Sequence, residues 1–124
     1  MDITPVLGKA KLAITGYGDG GFKINHEFIK GSLLVFPERS EAWDVGDIST
    51  LTTHDFQRVI ETVPLVELLL IGTGKFTTPL NPEIKSLLKS QNIAVEIMDT
   101  GAACRTYNVL LSEERRVAAA LIAV

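Results

Sequence analysis

The chain has 124 residues, enough for one ordinary domain and too few for two, and 46% of them are hydrophobic, which argues against disorder. Its 12 basic and 15 acidic side chains give a formal net charge of −3, so we expect no nucleic-acid partner, which requires a basic surface. One Cys and two His allow neither an internal disulfide nor a closed zinc site, so we predict a soluble, intracellular domain without metal or cofactor.

The first residues show no targeting signal. Residues 1–6 lack the basic start and apolar stretch of a secretory signal. An acidic residue at position 2 and the lack of Arg before position 39 disfavour a mitochondrial presequence. The longest apolar run, over 117–124, is far shorter than the roughly 18 residues that a spanning helix needs. We therefore expect a cytoplasmic protein that does not span a membrane.

Short β-like segments separated by turns fill the first third of the chain. They cover residues 12–15, 22–24, 27–29 and 32–36. Glycines and the pair Asn25-His26 supply the turns between them, and Pro37 ends the series. This pattern predicts an antiparallel β meander.

From Thr52 onward, helical and strand patterns alternate. In chain order we predict a helix capped by Thr52 and stopped by Pro64, a strand over 66–71, a helix started by Asn81 and Pro82, a strand over 93–98, a helix from Asp99 or Thr100 to about Leu111, and a strand over 116–124. The alternation predicts right-handed crossovers and a mainly parallel sheet. The predicted fold class is α/β: a single domain with an N-terminal antiparallel β meander followed by a βαβαβαβ unit.

The residues Gly72, Thr73, Gly74 and Lys75 follow a predicted strand and form the first candidate ligand site. In open α/β sheets, ligands bind beyond the carboxyl ends of the strands. Glycines let the backbone approach an anion, and Lys75 adds a positive charge. Neither a Walker A loop nor a dinucleotide fingerprint is complete, because Phe76 follows Lys75 and position 77 is Thr. The alternative interpretation is a tight turn that requires a positive φ.

A second candidate site lies at the start of the third predicted helix, where Asp99, Thr100, Cys104 and Arg105 stand. Asp99 or Thr100 would cap the helix, whose first-turn N–H groups favour anions. The helix dipole and Arg105 would lower the pKa of an exposed Cys104, although nothing places a histidine beside it as a base. The alternatives are a structural cap at Asp99 and a small buried thiol at Cys104.

The single tryptophan, Trp43, is a candidate for partner binding. It stands among polar and charged residues after Pro37, and an exposed tryptophan there would be a natural interface anchor. The alternative is a core position that closes one end of the domain from an edge strand.

Several stretches resemble the signatures of one small family. They are residues 98–100, 102–103, 105–110 and 114–121 near the C-terminus, Gly72-Thr73-Gly74 in the middle, and Gly16-Tyr17-Gly18 to Phe22 with Trp43 in the first part. The family contains the third mitochondrial complex I (NADH dehydrogenase) assembly factor together with uncharacterised bacterial and archaeal members. The resemblance extends from about Ile14 to Val124.

The resemblance implies a compact three-layer α/β domain with mixed sheets and helices on one side. It also implies that no enzymatic activity is established and that the mitochondrial relative binds other proteins while a membrane complex is assembled. The family supplies no agreed catalytic residues, so none is transferred. Without a presequence, this chain resembles a bacterial, cytoplasmic member, and whether complex I assembly carries over stays open.

The leading functional hypothesis is a non-enzymatic binding protein, an assembly or chaperone-like factor for a membrane-associated complex such as respiratory complex I. The alternative is an anion or nucleotide site, or an enzyme, in the crevice between Gly72–Lys75 and Asp99–Thr100. A thiol enzyme built on Cys104 is a third possibility. A protein partner is expected, and a homo-oligomer stays open.

Overall fold

Residues 11–124 form two β-sheets and three α-helices in the computed structural model, which describes this part of the chain. The expectation about a targeting signal in residues 1–6 lies outside the described residues. The strands are β1 (Ile14–Gly18), β2 (Gly21–Ile24), β3 (Glu27–Lys30), β4 (Leu33–Val35), β5 (Ser40–Ala42), β6 (Leu68–Gly72), β7 (Ala94–Met98) and β8 (Val117–Leu121). The helices are α1 (Gln57–Ile60), α2 (Pro82–Ser90) and α3 (Thr100–Ser112), with 3₁₀ turns at Ile48–Thr50 and Thr53–Phe56. The predicted α/β class with an antiparallel N-terminal unit is confirmed.

The first three strands form a small antiparallel sheet in the order β1-β2-β3. Two-residue turns join them, at Asp19-Gly20 and at Asn25-His26, and all four turn residues have a positive φ. Paired positive φ values match the twist of the flanking strands, which is why such turns make tight hairpins.

The second sheet is mixed and has the order β5-β4-β8-β6-β7. Strand β6 runs parallel to β7 and β8, whereas β4 runs antiparallel to β5 and β8. The fourth segment of the predicted meander is β4, so that part of the prediction was wrong about its partners. All three β4 residues are buried, and a position inside this sheet covers both of their faces, whereas β3 is largely exposed.

Two apolar cores lie on opposite faces of the mixed sheet and give the domain three layers. Along the central strands the side chains alternate between these cores: Leu69, Ile71, Ala118 and Ala120 face the core shared with α1 and α2, and Leu70, Val117, Ala119 and Leu121 face the core shared with α3 and the small sheet. Strands buried on both faces explain the nearly continuous apolar runs in the sequence. The helices therefore lie on both sides of the sheet, not on one side as the resemblance implied.

The helix predicted between Thr52 and Pro64 is shorter than expected. It consists of a 3₁₀ turn followed by the four-residue α1. Thr52 occupies the N-cap position as predicted, and the Asp55 carboxylate accepts its backbone N–H at 2.8 Å. Val63, which a helical spacing from Phe56 would place on the apolar face, is 89% exposed. A residue before proline is disfavoured in helical geometry, so Pro64 ends the helix earlier than the hydrophobic spacing suggests.

The predicted start of α2 is confirmed. The Asn81 side chain accepts the backbone N–H of Glu83 at 2.8 Å, and Pro82 occupies the first helical position. Ile84 and Leu88 are fully buried against the sheet. Cap and proline are local signals, and here they suffice to begin the helix.

Asn108 connects α3 with the small sheet. Its Oδ1 accepts the backbone N–H of Ile14 at 2.9 Å, and its Nδ2 donates to the backbone carbonyl of Ile14 at 2.7 Å. Both residues are buried, so no solvent replaces these bonds. One side chain thus satisfies both backbone groups of a residue in β1.

We expect Asn108→Leu to lower the free energy of unfolding by about 2–4 kcal/mol, because it leaves two buried backbone groups without partners. Urea unfolding followed by circular dichroism measures the change. Val109→Ala, at the exposed neighbouring position of the same helix, is the control. Equal losses for the two variants would contradict the assigned role.

Candidate functional site

A cleft of about 660 Å³ opens at the carboxyl ends of β6 and β7. Its walls come from the end of β1, the 3₁₀ turn after Gly46, the loop after β6, the first turn of α3 and the residues after β8. Carboxyl ends of parallel strands are where ligands of open α/β sheets bind. The cleft is therefore the candidate functional site.

The structure brings the two predicted candidate sites together in this cleft. Five of the predicted residues line it: Thr73, Gly74, Lys75, Asp99 and Arg105. Three more lie buried behind the surface of the cleft: Gly72, Thr100 and Cys104. Trp43 lies away from the cleft, in the core that the mixed sheet shares with α1 and α2. Residues that the sequence placed in one site thus divide into a surface and its support.

Thr100 is the support for the cleft floor. Its backbone N–H donates to the Gly74 carbonyl at 2.9 Å, and its hydroxyl accepts the Gly74 N–H at 2.9 Å. The same hydroxyl donates to the Ile122 carbonyl at 2.7 Å. A fully buried side chain thus joins the loop after β6, the start of α3 and the end of β8.

Gly72 is required by close packing, not by ligand approach. A Cβ at this position would lie 2.9 Å from the Thr100 Cα and 3.1 Å from a methyl group of Leu121. Any side chain would therefore push α3 away from the sheet. Gly74, in contrast, has a φ of +105°, so the interpretation of the loop as a turn needing positive φ is confirmed at that residue.

The loop after β6 is held by Thr73. Its hydroxyl lies 2.6 Å from the Phe76 carbonyl, to which it donates, and accepts the Thr78 N–H at 3.1 Å. Its backbone N–H donates to the Met98 carbonyl at 2.9 Å, which ties the loop to the end of β7. The backbone from Thr73 to Thr78 therefore has a defined path along the cleft.

Both carboxylates that line the cleft act as helix caps. Asp99 accepts the Ala102 N–H at 2.9 Å at the start of α3. Asp47 accepts the Ser49 N–H at 2.8 Å, and this hydrogen bond holds the pKa of Asp47 below its ordinary value. The α3 N-terminus, which would attract an external anion, is thus already served by the protein's own carboxylate.

Tyr17 packs across the start of α3 and closes one side of the cleft. Its hydroxyl accepts a hydrogen bond from the Arg105 guanidinium at 2.8 Å. A Cβ on Gly101 would come within 2.8 Å of the same hydroxyl, so glycine makes room for the ring. This contact brings a residue of the small sheet to the edge of the mixed sheet.

Lys75 and Phe76 are two of the exposed residues of the loop, and both line the cleft. Phe76 is 75% exposed, although its ring lies on a loop with fixed backbone bonds. Lys75 is exposed as well, and the described residues offer its ammonium group no hydrogen bond or ion pair. Neither side chain stabilises the fold in a way that its contacts reveal.

The thiol of Cys104 lies in the core with no exposed surface. Burial raises its pKa to about 12, which outweighs the opposite effect of the Arg105 charge, while the Asp99 charge raises it further. The interpretation of Cys104 as a small buried thiol is therefore confirmed, and the lowering of the pKa expected for an exposed thiol is not found. A thiol with this pKa stays protonated at neutral pH and is not a nucleophile.

Trp43 is buried and does not present an exposed anchor. Only 6% of it is exposed, its Nε1 donates to the Asp55 carbonyl at 2.9 Å, and its ring meets Phe56 edge-on at 5.7 Å. The alternative interpretation, a core residue directly after an edge strand, describes its position. The orientation that would make it an interface anchor is not observed.

Sequence reasoning missed several cleft residues. They are Tyr17, Gly46, Asp47, Ile48, Phe76, Thr78, Gly101, Ile122, Ala123 and Val124. The position of Phe76 could have indicated a binding role, because a tight turn rarely requires a large apolar residue directly after its glycines. The others become neighbours only through tertiary packing.

Neither a metal site nor a membrane span is found in residues 11–124. No group of three His, Cys, Asp or Glu side chains in this range is arranged to hold a metal ion. No helix in the same range has the length and apolar character needed to cross a bilayer.

Residues 14–122 match a protein family described as protein of unknown function (DUF498/DUF598). The chain is 39% identical over 113 residues to the NADH dehydrogenase [ubiquinone] 1 alpha subcomplex assembly factor 3 of Danio rerio, covering 91% of this chain and 65% of the relative. It thus spans somewhat less than two thirds of that curated relative. An uncharacterized protein of Rhodobacter capsulatus is 38% identical over 112 residues, covering 90% of this chain and 84% of that protein.

The fold also matches solved structures. One is a Bordetella pertussis protein described as a Mth938-like domain, which superposes with a TM-score of 0.81 at 30% identity. The match covers 98% of this chain and 92% of that structure. The resemblance identified from the sequence signatures is confirmed.

We expect Thr100→Val to lower the free energy of unfolding by about 2–4 kcal/mol, because the Gly74 N–H and the Ile122 carbonyl lose a buried partner. Thr100→Ser keeps the hydroxyl and should restore most of the loss. Urea unfolding measures both, and Thr106→Val on the same helix is the matched control. A loss as large for Thr100→Ser as for Thr100→Val would contradict the role of the hydroxyl.

Cys104 should resist alkylation in the folded protein and react once urea unfolds it. Iodoacetamide labelling at pH 8, quantified by mass spectrometry, tests this. Because the folded state holds the thiol proton more tightly, stability should fall as pH rises from the ordinary pKa of 9.0 towards 12, and Cys104→Ala should reduce that fall. Rapid labelling of the folded protein at pH 8 is the contrary result.

Proposed function

The chain belongs to the DUF498/DUF598 family, and from this premise we propose that it is a non-enzymatic binding protein that acts in the assembly of a membrane-associated complex such as respiratory complex I. The observation that carries the proposal is the 39% identity over 91% of this chain to an assembly factor. That relative is the longer protein, so its own role is transferred here only as a proposal.

The chemistry of the cleft supports binding over catalysis. Its carboxylates Asp47 and Asp99 are engaged as caps, and the thiol of Cys104 is buried and protonated. A nucleophile needs an adjacent base and a site for the developing charge, and none of the cleft side chains forms such a pair. What the cleft offers instead is a fixed surface with an exposed aromatic ring.

The alternative of an anion or nucleotide site has weaker support. The volume of the cleft lies in the range of small-ligand pockets. A phosphate site at a helix start requires free first-turn N–H groups. Here the Thr100 N–H is bonded to Gly74, and the Ala102 N–H is bonded to Asp99. The protein's own groups thus take two of the first-turn donors that a phosphate would use.

Crosslinking followed by affinity purification from the native host tests the proposed function. We expect subunits of a membrane complex to be recovered with the tagged full chain. Deletion of the gene should lower the amount of assembled complex on native gels while its subunits are still synthesised.

Wild-type chain and the surface variant Lys85→Glu should both restore assembly, because Lys85 lies on the exposed face of α2 away from the cleft. The proposal fails if the membrane complexes assemble normally in the deletion strain and no membrane subunit is crosslinked to the chain.

A further inference from the structure

We propose that the cleft is the surface on which the partner docks, and that it takes an extended acidic segment of that partner. A carboxylate of the segment would pair with Lys75, and a neighbouring apolar side chain would pack against Phe76. This inference rests on the proposed function, because it assumes that the chain binds a protein.

Phe76 marks the contact point. Within the described residues, it is more exposed than any other large aromatic side chain, at 75% against 47% for Phe28. Its backbone is held by the hydrogen bond from Thr73, so little chain entropy would be lost when a partner covers the ring. Exposed aromatic residues on a fixed backbone are the typical anchors of protein interfaces.

The charge of the cleft determines the chemistry of the segment. The carboxylates of Asp47 and Asp99 keep their negative charge, and each accepts a backbone N–H at a helix start. The Arg105 guanidinium in the same cleft donates to the Tyr17 hydroxyl. The ammonium group of Lys75 has no such partner among the described residues. Complementary charge across an interface selects partners, so a carboxylate is the group that the Lys75 side of the cleft favours.

The charged side chains that form ion pairs elsewhere in the described chain are less suited to this role. The ion pairs found in residues 11–124 involve Glu38 or Glu41, and neither residue lines the cleft. In those pairs the basic groups already have acidic partners. Lys23, opposite Phe28 across β2 and β3, is another lysine that is unpaired within the described residues and lies beside an exposed aromatic ring. Phe28 is only 47% exposed, against 75% for Phe76, and the hollow beside it measures about 180 Å³, much less than the cleft.

The size of the cleft indicates an extended segment. A volume of about 660 Å³ is in the range filled by small ligands, so it accommodates the side chains of a few residues, not a folded surface. Its apolar lining includes Ile48 and Ile122 beside Phe76. An acidic residue adjacent to an aromatic or aliphatic one would satisfy both the charge and this lining.

Titration of the isotope-labelled full chain with synthetic peptides, followed by NMR, tests the inference. The probe is a short peptide that alternates Asp or Glu with Phe or Leu, and the matched peptide carries Asn or Gln at each acidic position. We expect the acidic peptide to shift the signals of residues 73–78 and 99–105. Its affinity should fall about tenfold or more with Lys75→Glu and with Phe76→Ala.

Two matched control variants show whether the loss of binding is specific to the cleft or follows from any change of charge or loss of an exposed ring. Lys85→Glu makes the same charge change on α2, and Phe28→Ala removes an exposed ring from β3. Both should bind the acidic peptide as the wild type does, and thermal unfolding checks that every variant is folded. Equal binding of the amide peptide, shifts outside the cleft, or displacement by millimolar inorganic phosphate would overturn the inference, the last by indicating a small-anion site.

A photo-crosslinking residue at position 76 or at position 86, on the exposed face of α2, separates this inference from the proposed function in cells. We expect crosslinks from position 76 to a partner peptide that contains Asp or Glu, identified by mass spectrometry. Crosslinks only from position 86, or to a basic segment, would overturn the inference while partner binding stands. No crosslink from either position, with no partner recovered by purification, would overturn both.

Discussion

The cleft depends on the two hydrogen bonds made by the hydroxyl group of Thr100. This hydroxyl accepts a hydrogen bond from the loop after β6 and donates one to the chain after β8, while the backbone of the same residue begins α3. Gly72 allows this arrangement, because any side chain there would collide with Thr100. The surface residues of the cleft keep their relative positions because these buried groups have no freedom to rearrange.

This arrangement separates the residues that build the site from those that it leaves exposed to solvent. Thr73, Asp99 and Thr100 satisfy backbone groups of the loop and the helix, and their polar atoms are used internally. Lys75 and Phe76 contribute little to the fold and stand at the surface. In this chain, the best candidates for binding are therefore exposed side chains on which the fold does not depend. A polar residue type alone does not identify such candidates.

The sequence was informative where local chemistry decides the structure and uninformative where packing decides it. The caps Asn81 and Asp99 were predicted because a capping side chain acts within three residues of itself. The sheet of β4 could not be predicted, because it depends on pairing with β8 at the far end of the chain. For Cys104, closeness to a helix start suggested reactivity, but the helix turns that position towards the core, and burial then determines its pKa.

The Tyr17–Arg105 contact has a consequence for when the protein is able to bind. Tyr17 belongs to the small sheet and Arg105 to α3, so one wall of the cleft exists only after the two sheets have docked. A chain in which the mixed sheet had formed alone would present Lys75 and Phe76 without the opposite wall. Binding at the cleft would thereby be restricted to fully folded copies of the chain.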